Sequence, residues 1–515
     1  MKKKLATVLM GIMIFTLLAG CAGGNKATEK EVNTDGNAAE VKATEGAEKE
    51  VKAEEPTTLH LAIFNYANMD DMDAVLKKAN EITLRELNIV LEIEVIPGSS
   101  WQQQMNMILS SGEELDIFPA FATPLATYVA NGQVQALDEL LAQYGADIPE
   151  AIGADYLDCG KVSGKLYGIT TNRDLAAQNG FWMRKDLCDK YNIDVNSLKT
   201  LEDIEKALLT IHKGEPDLYP VVPQSNAVPV GISNWDDLSN GLGVLMDYGK
   251  ELQVVNLYET EEYKNYTETM HRWYQEGLIM KDVLNNTETS ESLVRSGKAV
   301  GAFAGMKPGF EEQVQRDTGY EVVRINLAEP LSLTGNAAGL TWCISSNSKN
   351  SEAAMKFLNF AYTSFELNNL LIYGIENVHY KYVDKDNNII DYADGLDANT
   401  TPYSPSLGWA WFNQFKAAIW NGNSPDYWNE LAEFNAKAIK SGAMGYTFDS
   451  SNVKAEITTC TNITDKYVRA LQAGVVDPKE ALPQMNEELK KAGLDKIIAE
   501  KQVQIDEWVK AKGNQ

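Results

Sequence analysis

The sequence predicts an α/β fold of two or three lobes, and three observations lead to this expectation. The chain has 515 residues, which is more than one ordinary hydrophobic core accommodates. Its apolar content of 44% is normal for a globular protein, so most of the chain should fold. From residue 58 onward, short apolar strands alternate with helical patterns, and this order is typical of parallel α/β layers.

The N-terminus has the three-part layout of a secretory signal. Lysines at 2–4 precede an apolar run over 5–18, which is too short to span a bilayer comfortably. The run ends in Leu17-Leu-Ala-Gly-Cys21, which resembles the bacterial lipobox, where the cysteine sulfur receives a diacylglycerol and the chain is cleaved before it. We expect a signal peptide at 1–20 and a lipidated Cys21 that anchors the protein on the extracellular face of a Gram-positive-type cell membrane. The alternative is an incidental cysteine after an ordinary signal peptide.

The segment after Cys21 has the composition of a tether. Residues 22–55 are mostly Ala, Gly, Asn, Thr, Lys and Glu, with too little apolar surface to offset the entropy cost of folding. We expect a disordered tether over 21–56. The net charge is -27, and loss of the three signal-peptide lysines would make it -30. So acidic a chain argues against nucleic acid or anionic lipid as a partner.

The folded body begins with strands and helices in alternation. Apolar strands are predicted at 58–64, 90–96 and 115–121, with helical patterns at 70–87 and 101–110 between them. Ligands of open α/β sheets bind at the carboxyl ends of the strands. The candidate ligand-binding residues at these ends are Asn65, Tyr66 and Thr123.

Helix signals continue further along the chain. Thr200 with Asp203 is a capping pattern, and apolar residues then follow at helical spacing. A second apolar stripe runs over 354–365, and Thr363 with Glu366 indicates another capping box. Near the C-terminus, Asp477 before Pro478 indicates a helix start. We expect a lobe-capping helical pair there, with docking of a partner as the alternative.

Several sequence stretches, taken in order, resemble the extracellular solute-binding proteins of ABC importers, of the sugar-type family 1. They are Ser111-Gly-Glu-Glu-Leu-Asp-Ile-Phe, Tyr128-Val-Ala-Asn-Gly-Gln-Val-Gln-Ala-Leu-Asp, Gly164-Lys-Leu-Tyr-Gly-Ile-Thr-Thr, Phe181-Trp-Met-Arg-Lys-Asp-Leu and Val294-Arg-Ser-Gly-Lys-Ala-Val-Gly-Ala-Phe. The resemblance implies a type II, two-lobe periplasmic-binding-protein-like fold with a multi-strand hinge. It also implies a monomer that closes on a solute and delivers it to permease subunits.

The resemblance also suggests how the chain is divided. Lobe 1 would comprise 57–173 and 325–346, and lobe 2 would comprise 174–324 and 347–449. Residues 450–515 resemble the C-terminal extension of a subgroup of Gram-positive lipoproteins, and we expect this extension to pack on the lobes. Residues 339–345 resemble the strand that returns to the cleft and then leaves the first lobe.

Motifs for catalysis, metals or cofactors were not found in the sequence. It contains no G-x-S-x-G, no H-E-x-x-H and no complete phosphate-binding loop. The four histidines at 60, 212, 271 and 379 are far apart, and the calcium-like run at 384–391 lacks the central glycine and the final acid. We therefore predict no enzyme activity, no cofactor and no metal. A surface glycan hydrolase, or a sensing lipoprotein without transport, is the alternative.

Aromatic and polar side chains suit the binding of a carbohydrate or oligosaccharide. Aromatic rings cover the C–H face of a sugar, and planar polar groups bond to its hydroxyls. The candidates with aromatic rings, together with one neighbouring acid, are Trp235, Asp236, Trp342, Trp409 and Trp411. The candidates at the predicted first crossover between lobes are Asn172, Arg173 and Asp174. For the tryptophans the alternative is a place in the core, and for Arg173 it is an ion pair between lobes.

Overall fold

The computed structural model describes residues 55–513 except 67, 226, 229 and 239. The predicted signal peptide, Cys21 and the tether up to residue 54 lie outside the described residues. The strands are β1 Thr57–Asn65, β2 Ile89–Pro97, β3 Ile117–Ala120, β4 Lys161–Val162, β5 Lys165–Leu166, β6 Ile169–Thr170, β7 Gln178–Arg184, β8 Tyr219–Val221, β9 Val244–Leu245, β10 Val254–Val255, β11 Ala299–Met306, β12 Val322–Asn326, β13 Leu331–Ser332, β14 Thr341–Ile344, β15 Tyr380–Asp384, β16 Ile389–Tyr392, β17 Ile419–Trp420 and β18 Ile439–Lys440.

Helices connect most of these strands. They are α1 Met72–Leu87, α2 Trp101–Ser111, α3 Leu125–Ala130, α4 Asp138–Tyr144, α5 Ile148–Ile152, α6 Ala154–Leu157, α7 Lys185–Lys190, α8 Leu201–Gly214, α9 Glu261–Gln275, α10 Ser290–Arg295, α11 Phe310–Thr318, α12 Thr334–Ala338, α13 Ser351–Thr363, α14 Phe365–Tyr373, α15 Tyr427–Lys437, α16 Lys454–Gln472, α17 Pro478–Ala492 and α18 Leu494–Gly513. Short 3-10 helices lie at Asp158–Gly160, Val195–Ser197, Asp247–Gly249, Leu257–Glu259, Val283–Asn285, Pro405–Ala410, Gln414–Lys416 and Ser451–Val453.

The first lobe is built on a five-stranded sheet in the order β2-β1-β3-β14-β6. β1 runs parallel to β2 and β3, whereas β14 runs antiparallel to β3 and β6. The parallel strands alternate with α1 and α2, as the sequence predicts, because crossover helices are what connect parallel neighbours. Their carboxyl ends meet at one edge of the sheet, where Asn65 and the residues after Ala120 lie.

The prediction that 347–449 belongs to the second lobe is wrong for the part from α13 to Ala418. The apolar side of α13, which includes Ala354, Phe357 and Leu358, is fully buried in the first lobe's core, and this core extends along the chain to Ala418. The reason is the short connection between β14 and α13. Only six residues separate Ile344 from Ser351, so α13 packs beside the sheet that β14 has just joined.

The second lobe is built on a four-stranded sheet in the order β12-β7-β11-β8. α8 covers this sheet, with Ile204, Leu208 and Ile211 buried in its core. The predicted capping box is confirmed, because the Thr200 side chain accepts a bond from the Asp203 N–H and the Asp203 carboxylate accepts one from the Thr200 N–H. The other predicted box is wrong by one residue. Thr363 ends α13, and Ser364 caps α14 by accepting from the Leu367 N–H.

The chain passes between the lobes three times, at 171–177, at 327–340 and after β17. These crossovers are bonded to one another. The Asn435 side chain accepts bonds from the Leu175 and Ala176 N–H groups and donates to the Arg173 carbonyl at 2.7 Å. β13 pairs with β18, which ties the second crossover to the third. Three joined segments form the multi-strand connection that the family resemblance implied.

The C-terminal module, defined here as residues 442–513, packs on the second lobe. Helices α16 and α17 contact α9, and α18 lies against β10. Their buried residues share one apolar core with Trp235, Leu238 and Tyr263. The module therefore covers the lobe with three helices, where the sequence predicted two. No helix in the described part of the chain is both long and apolar enough to cross a membrane.

Candidate functional site

A cavity of about 620 Å³ lies where the two lobes and their crossovers meet. Its lining comes from the loop after β3 in the first lobe, from the crossovers, from the second lobe and from the C-terminal module. The lining residues are Ala122, Thr123, Pro124, Leu125, Arg173, Ser233, Trp235, Asp237, Leu333, Gly335, Asn336, Ala338, Gly339 and Thr447. A hollow of the same volume between α7 and β12 is lined by the second lobe alone, so closure of the lobes could not enclose a ligand there.

The first-lobe wall of the cavity is a short loop held by α2. Ala122 has a left-handed backbone with a φ of 60°, which costs energy for a residue that is not glycine. Two side chains of α2 hold the loop in this shape. The Trp101 indole N–H donates to the Phe121 carbonyl at 3.1 Å, and the Gln102 amide donates to the Thr123 hydroxyl at 3.0 Å.

An aromatic cluster, consisting of Tyr66, Phe121 and Trp409, lies next to this loop. All three rings contact the buried Phe64, with ring centroids 5.8, 4.2 and 5.5 Å from its own. Tyr66 is 61% exposed, and Phe121 and Trp409 are half-buried. Gly98 allows the Tyr66 ring to lie on the backbone, because a Cβ at that position would be 2.1 Å from the ring. The cluster thus presents aromatic surface supported by a rigid core.

Arg173 joins two crossovers at the floor of the cavity. Its guanidinium donates to the Asn336 carbonyl at 2.8 Å and to the Asp174 carbonyl at 2.9 Å, and it forms an ion pair with the Asp174 carboxylate. Lys307 also forms an ion pair with Asp174. Burial would raise the pKa of Asp174, but the positive charges of Lys307 and Arg173 outweigh it, so the pKa lies below the ordinary value.

The second-lobe wall is the loop that carries Ser233, Trp235 and Asp237. The Trp235 ring packs edge-on against Tyr263 at 6.4 Å, inside the core shared with the C-terminal module. The fully buried Asp236 accepts bonds from the N–H and the hydroxyl of Thr334, at 3.1 and 2.6 Å. Since Thr334 lies between cavity residues of the second crossover, Asp236 fixes the two walls relative to each other.

The structure brings Thr123, Arg173 and Trp235 of the predicted site residues together around the cavity. Tyr66 and Trp409 lie in the aromatic cluster beside it. Their binding roles stay predictions. Asn65 instead borders a separate hollow between β1, β2 and α1.

Two of the predicted platforms have no free surface. Trp342 is 0% exposed, stacks on Trp411 at 6.2 Å and donates its indole N–H to the Ala410 carbonyl. Trp411 is 2% exposed. The prediction that Trp342 and Trp411 offer a face to a sugar is wrong for this conformation, because both rings belong to the first lobe's core.

Three of the predicted polar residues have structural roles in the described residues. The Asn172 amide donates to the Ala151 carbonyl at 2.7 Å, and its backbone pairs with the segment at 412–414. The Asp174 and Asp236 carboxylates are engaged by the partners given above. These three side chains do not line the cavity, so their predicted contact with the ligand is not supported by their positions.

Several residues of the site were not predicted from the sequence. Phe121 and Asn336 are in or beside the cavity, Thr447 reaches it from the C-terminal module, and Asn435 clamps the first crossover. Phe121 ends the third predicted strand, two residues before Thr123, so the strand-end rule could have included it. No local pattern marks Asn336, Thr447 or Asn435, because their roles depend on contacts over long chain distances.

Within the described residues, no group of three or more His, Cys, Asp or Glu side chains is placed to hold a metal ion. The four cysteines of the described part, at 159, 188, 343 and 460, are free and buried. Burial raises the pKa of the Cys159, Cys188 and Cys343 thiols to about 12, so these groups stay protonated at neutral pH.

Two family models match the chain. One, described as bacterial extracellular solute-binding protein, matches residues 66–364, which is more than half of the chain. The other, described as a domain of unknown function, DUF3502, matches residues 442–510 and so corresponds to the C-terminal module.

Individual relatives resemble the whole folded body. A carbohydrate ABC transporter substrate-binding protein of Streptococcus pneumoniae serotype 4 is 29% identical over 447 residues, which are 86% of this chain and 89% of that protein. The crystal structure of NgtS, an N-glycan transport solute-binding protein of Streptococcus pneumoniae, has a TM-score of 0.79 at 26% identity, covering 88% of this chain and all of the other. The NgtS complexes with Man1GlcNAc and Man5GlcNAc, also 26% identical, cover 88% of this chain and 100% and 99% of their own, with TM-scores of 0.72 and 0.70.

Proposed function

The chain belongs to the bacterial extracellular solute-binding proteins, and from this we propose that it captures a carbohydrate outside the cell and delivers it to an ABC transporter permease. The cavity between the lobes is the observation that carries the proposal. Its walls come from both lobes and from two crossovers, so a ligand in it would touch every part that has to move during closure.

The chemistry of the cavity supports a sugar as the solute. The aromatic cluster offers apolar faces, while Thr123, Arg173 and Asp237 offer polar groups close by. A volume of about 620 Å³ is within the usual range for small-molecule sites, which is roughly 300–1,000 Å³. An oligosaccharide would extend from the cavity onto the exposed ring of Tyr66. We propose fragments of N-glycans as the class of oligosaccharide, because NgtS matches over the whole folded body.

Closure of the lobes on the solute is the second part of the proposal. The TM-score is 0.79 to NgtS itself but 0.72 and 0.70 to its two glycan complexes. The arrangement of the two lobes in this chain is therefore nearer to that of NgtS itself than to that of its glycan complexes. A ligand that contacts both lobes favours the closed state in proportion to its extra contacts there.

Binding without catalysis fits the lining of the cavity. Glycoside hydrolases in most families use two carboxylates, one on each side of the scissile bond. Asp237 is the one carboxylate among the described residues that line the cavity. We therefore propose a binding protein rather than a hydrolase.

Anchoring of a monomer on the outer face of the membrane completes the proposal. Cys21 would carry the diacylglycerol after cleavage of residues 1–20, and 22–56 would be the tether. Two acyl chains give a stable anchor, since each buried methylene contributes roughly 0.8 kcal/mol. Permease subunits would then meet the protein at the same membrane.

A thermal-shift measurement on residues 57–515 tests the proposal. Man5GlcNAc at about 100 times its Kd should stabilise the folded state by roughly 2.7 kcal/mol, and isothermal titration should give the stoichiometry of one. Kestose, a fructan without N-acetylglucosamine, is the matched control and should give no shift. Absence of binding by every saccharide of a panel would contradict carbohydrate capture, whereas a shift with kestose alone would contradict the N-glycan class.

A further inference from the structure

A lysine of the C-terminal module is buried beneath the loop that forms the second-lobe wall. Lys501 belongs to α18 and is 0% exposed. Its ammonium group donates three hydrogen bonds, to the Leu238 carbonyl at 3.3 Å, to the Asn240 side-chain oxygen at 2.7 Å and to the Gly243 carbonyl at 2.9 Å. All three acceptors belong to the loop at 235–243.

These bonds suit a positively charged lysine. An ammonium group has three N–H donors, and here each has an acceptor, whereas a neutral amine would leave one acceptor unsatisfied. An apolar residue could have filled the same space and avoided the cost of burying a charge. Lys501 is therefore better explained by its hydrogen bonds to the loop than by a contribution to the packing of the core.

The loop needs this support. Leu238 has a left-handed backbone with a φ of 48°, which costs energy for a residue with a branched side chain. Gly243 also has a positive φ, of 88°. The two are on opposite sides of Asn240, and Lys501 bonds to all three. Removal of the lysine would leave the Leu238 and Gly243 carbonyls without its hydrogen bonds, at the two positions of the loop where φ is positive.

The same loop is bonded to the floor of the cavity. Asp236 binds Thr334 of the second crossover, and the neighbouring Asn336 carbonyl accepts a bond from Arg173 of the first. A continuous set of hydrogen bonds and chain connections thus runs from α18 through the loop to both crossovers. The module also supplies Thr447 to the lining of the cavity.

We propose that the C-terminal module is a functional part of the solute site, in which Lys501 is a positioning residue that holds the 235–243 loop so that Trp235 and Asp237 face the cavity. This inference rests on the proposed function, in which that cavity binds the solute. It gives the module, which matches a domain of unknown function, a role in affinity.

The charge of Lys501 adds a measurable property. Burial lowers the pKa of Lys501 to about 7, against the opposing effect of Asp237 and Asp236. These two carboxylates of the loop are the charged groups that act on it, and from the segment before α16 it meets the Phe448 ring at 5.2 Å. A loop that opens and hydrates Lys501 restores its ordinary pKa of 10.5 and so binds the proton more tightly. Opening should therefore become less favourable, and the affinity for the solute should rise, as the pH goes from 7 toward 10.

The test replaces Lys501 by methionine, which has a similar shape and no donors. Lys501→Met is compared with Lys496→Met, on the same helix, where the lysine is 61% exposed in its side chain and pairs with Glu456 at the surface. Asn240→Ala is the second loop variant, and because Asn240 is exposed it keeps the test open if Lys501→Met does not fold. Hydrogen exchange of the peptide at 238–243, without ligand, and titration with Man5GlcNAc are measured on each protein.

In Lys501→Met we expect faster exchange at 238–243 and about tenfold weaker binding of Man5GlcNAc, which is within the usual range of coupling between sites. Its melting temperature should fall less than the loss of three hydrogen bonds would suggest, because the variant no longer has to bury a charge. Asn240→Ala should shift both quantities in the same direction by less, and Lys496→Met should shift neither. The affinity of the unsubstituted protein should rise between pH 7 and pH 9, and that of Lys501→Met should not.

Two results would overturn the inference. Equal exchange at 238–243 in Lys501→Met, Lys496→Met and the unsubstituted protein would show that the lysine does not hold the loop. Faster exchange with unchanged affinity would show that the loop position does not matter to the site. If the unsubstituted protein binds no saccharide, the proposed function fails instead, and the exchange measurement still decides what Lys501 holds.

Discussion

Replacement of Tyr66 by alanine should weaken solute binding without unfolding the protein. An aromatic side chain that is covered on all sides buries roughly 150–250 Å², so at 61% exposure Tyr66 leaves on the order of 120 Å² free. A sugar ring on one face would cover about half of that area. At about 25 cal/mol per Å² the contact contributes roughly 1.5 kcal/mol, or about tenfold in Kd.

Stability should change little in Tyr66→Ala, because the ring is 61% exposed and its contacts, which include the Phe64 and Phe121 rings and the Gly98 carbonyl at 3.3 Å, lie at the surface. We expect a loss in the free energy of unfolding of less than about 1 kcal/mol. The assay is isothermal titration with Man5GlcNAc, together with denaturant unfolding of the free protein. Tyr382→Ala, in the β15–β16 hairpin outside the cavity lining, is the matched control and should leave the affinity unchanged.

A second variant tests the position of the ring rather than its presence. Gly98→Ala would place a Cβ 2.1 Å from the Tyr66 ring, so the ring must move. Gly98 is not among the glycines with positive φ, so alanine adds no backbone strain of that kind. Both variants should weaken binding. An unchanged Kd in Tyr66→Ala, with normal folding, would refute the role of the aromatic cluster.

Four further predictions concern other parts of the molecule. Trp342→Ala should lower the free energy of unfolding by about 3–5 kcal/mol, measured in denaturant, while the folded fraction binds normally; weaker binding without loss of stability would contradict its place in the core. Cys21→Ala should release the protein from membranes or block its processing, as cell fractionation would show, and a normally cleaved, membrane-bound variant would contradict lipidation. A saturating glycan should reduce the radius of gyration in small-angle scattering, and an unchanged radius would count against closure. Burial lowers the pKa of Lys501 from its ordinary value of 10.5 to about 7 in the folded protein. Between pH 7 and pH 10.5 the unfolded chain therefore holds this proton while the folded protein has lost it. The free energy of unfolding should then increase as the pH rises from 7 toward 10. The free-energy difference between the unsubstituted protein and Lys501→Met should change in that window and stay constant below pH 7.

Local features of the fold could be predicted because they depend on neighbours in the chain. The strands at 58–64 and 90–96 and the cap at Thr200 each follow from a few adjacent residues, and the structure has them within one or two positions. The assignment of the segment from α13 to Ala418 to the second lobe failed because it depends on which sheet α13 covers. An apolar stripe shows that a helix is buried, but not against which core it packs.

The tryptophans show the same limit at the site. Trp342 lies in a four-residue strand whose side chains are all buried on both faces, so alternation along the strand could not distinguish a cleft face from a core face. Trp409 lies in the 3-10 helix at Pro405–Ala410, and Trp411 follows it directly. Although only two positions apart, the Trp409 ring lies in the aromatic cluster and the Trp411 ring lies in the core. Side-chain type alone indicates a sugar platform equally for all of them.

The cavity itself depends on contacts that no short pattern in the sequence records. Its lining spans positions from Ala122 to Thr447, and the walls are held by pairs such as Asp236 with Thr334 and Lys501 with Gly243, which are 98 and 258 residues apart. In each pair the side chain that makes the bond to the distant segment is a charged one, Asp236 or Lys501, that a sequence analysis would place on the surface, since lysine and aspartate are almost never fully buried unless paired. A lysine or aspartate that lies between apolar residues of a helix or a loop is therefore the one local sign that the side chain binds a segment far away in the sequence. Lys501, which follows Ile497 and Ile498 and precedes Ile505 on α18, carries that sign.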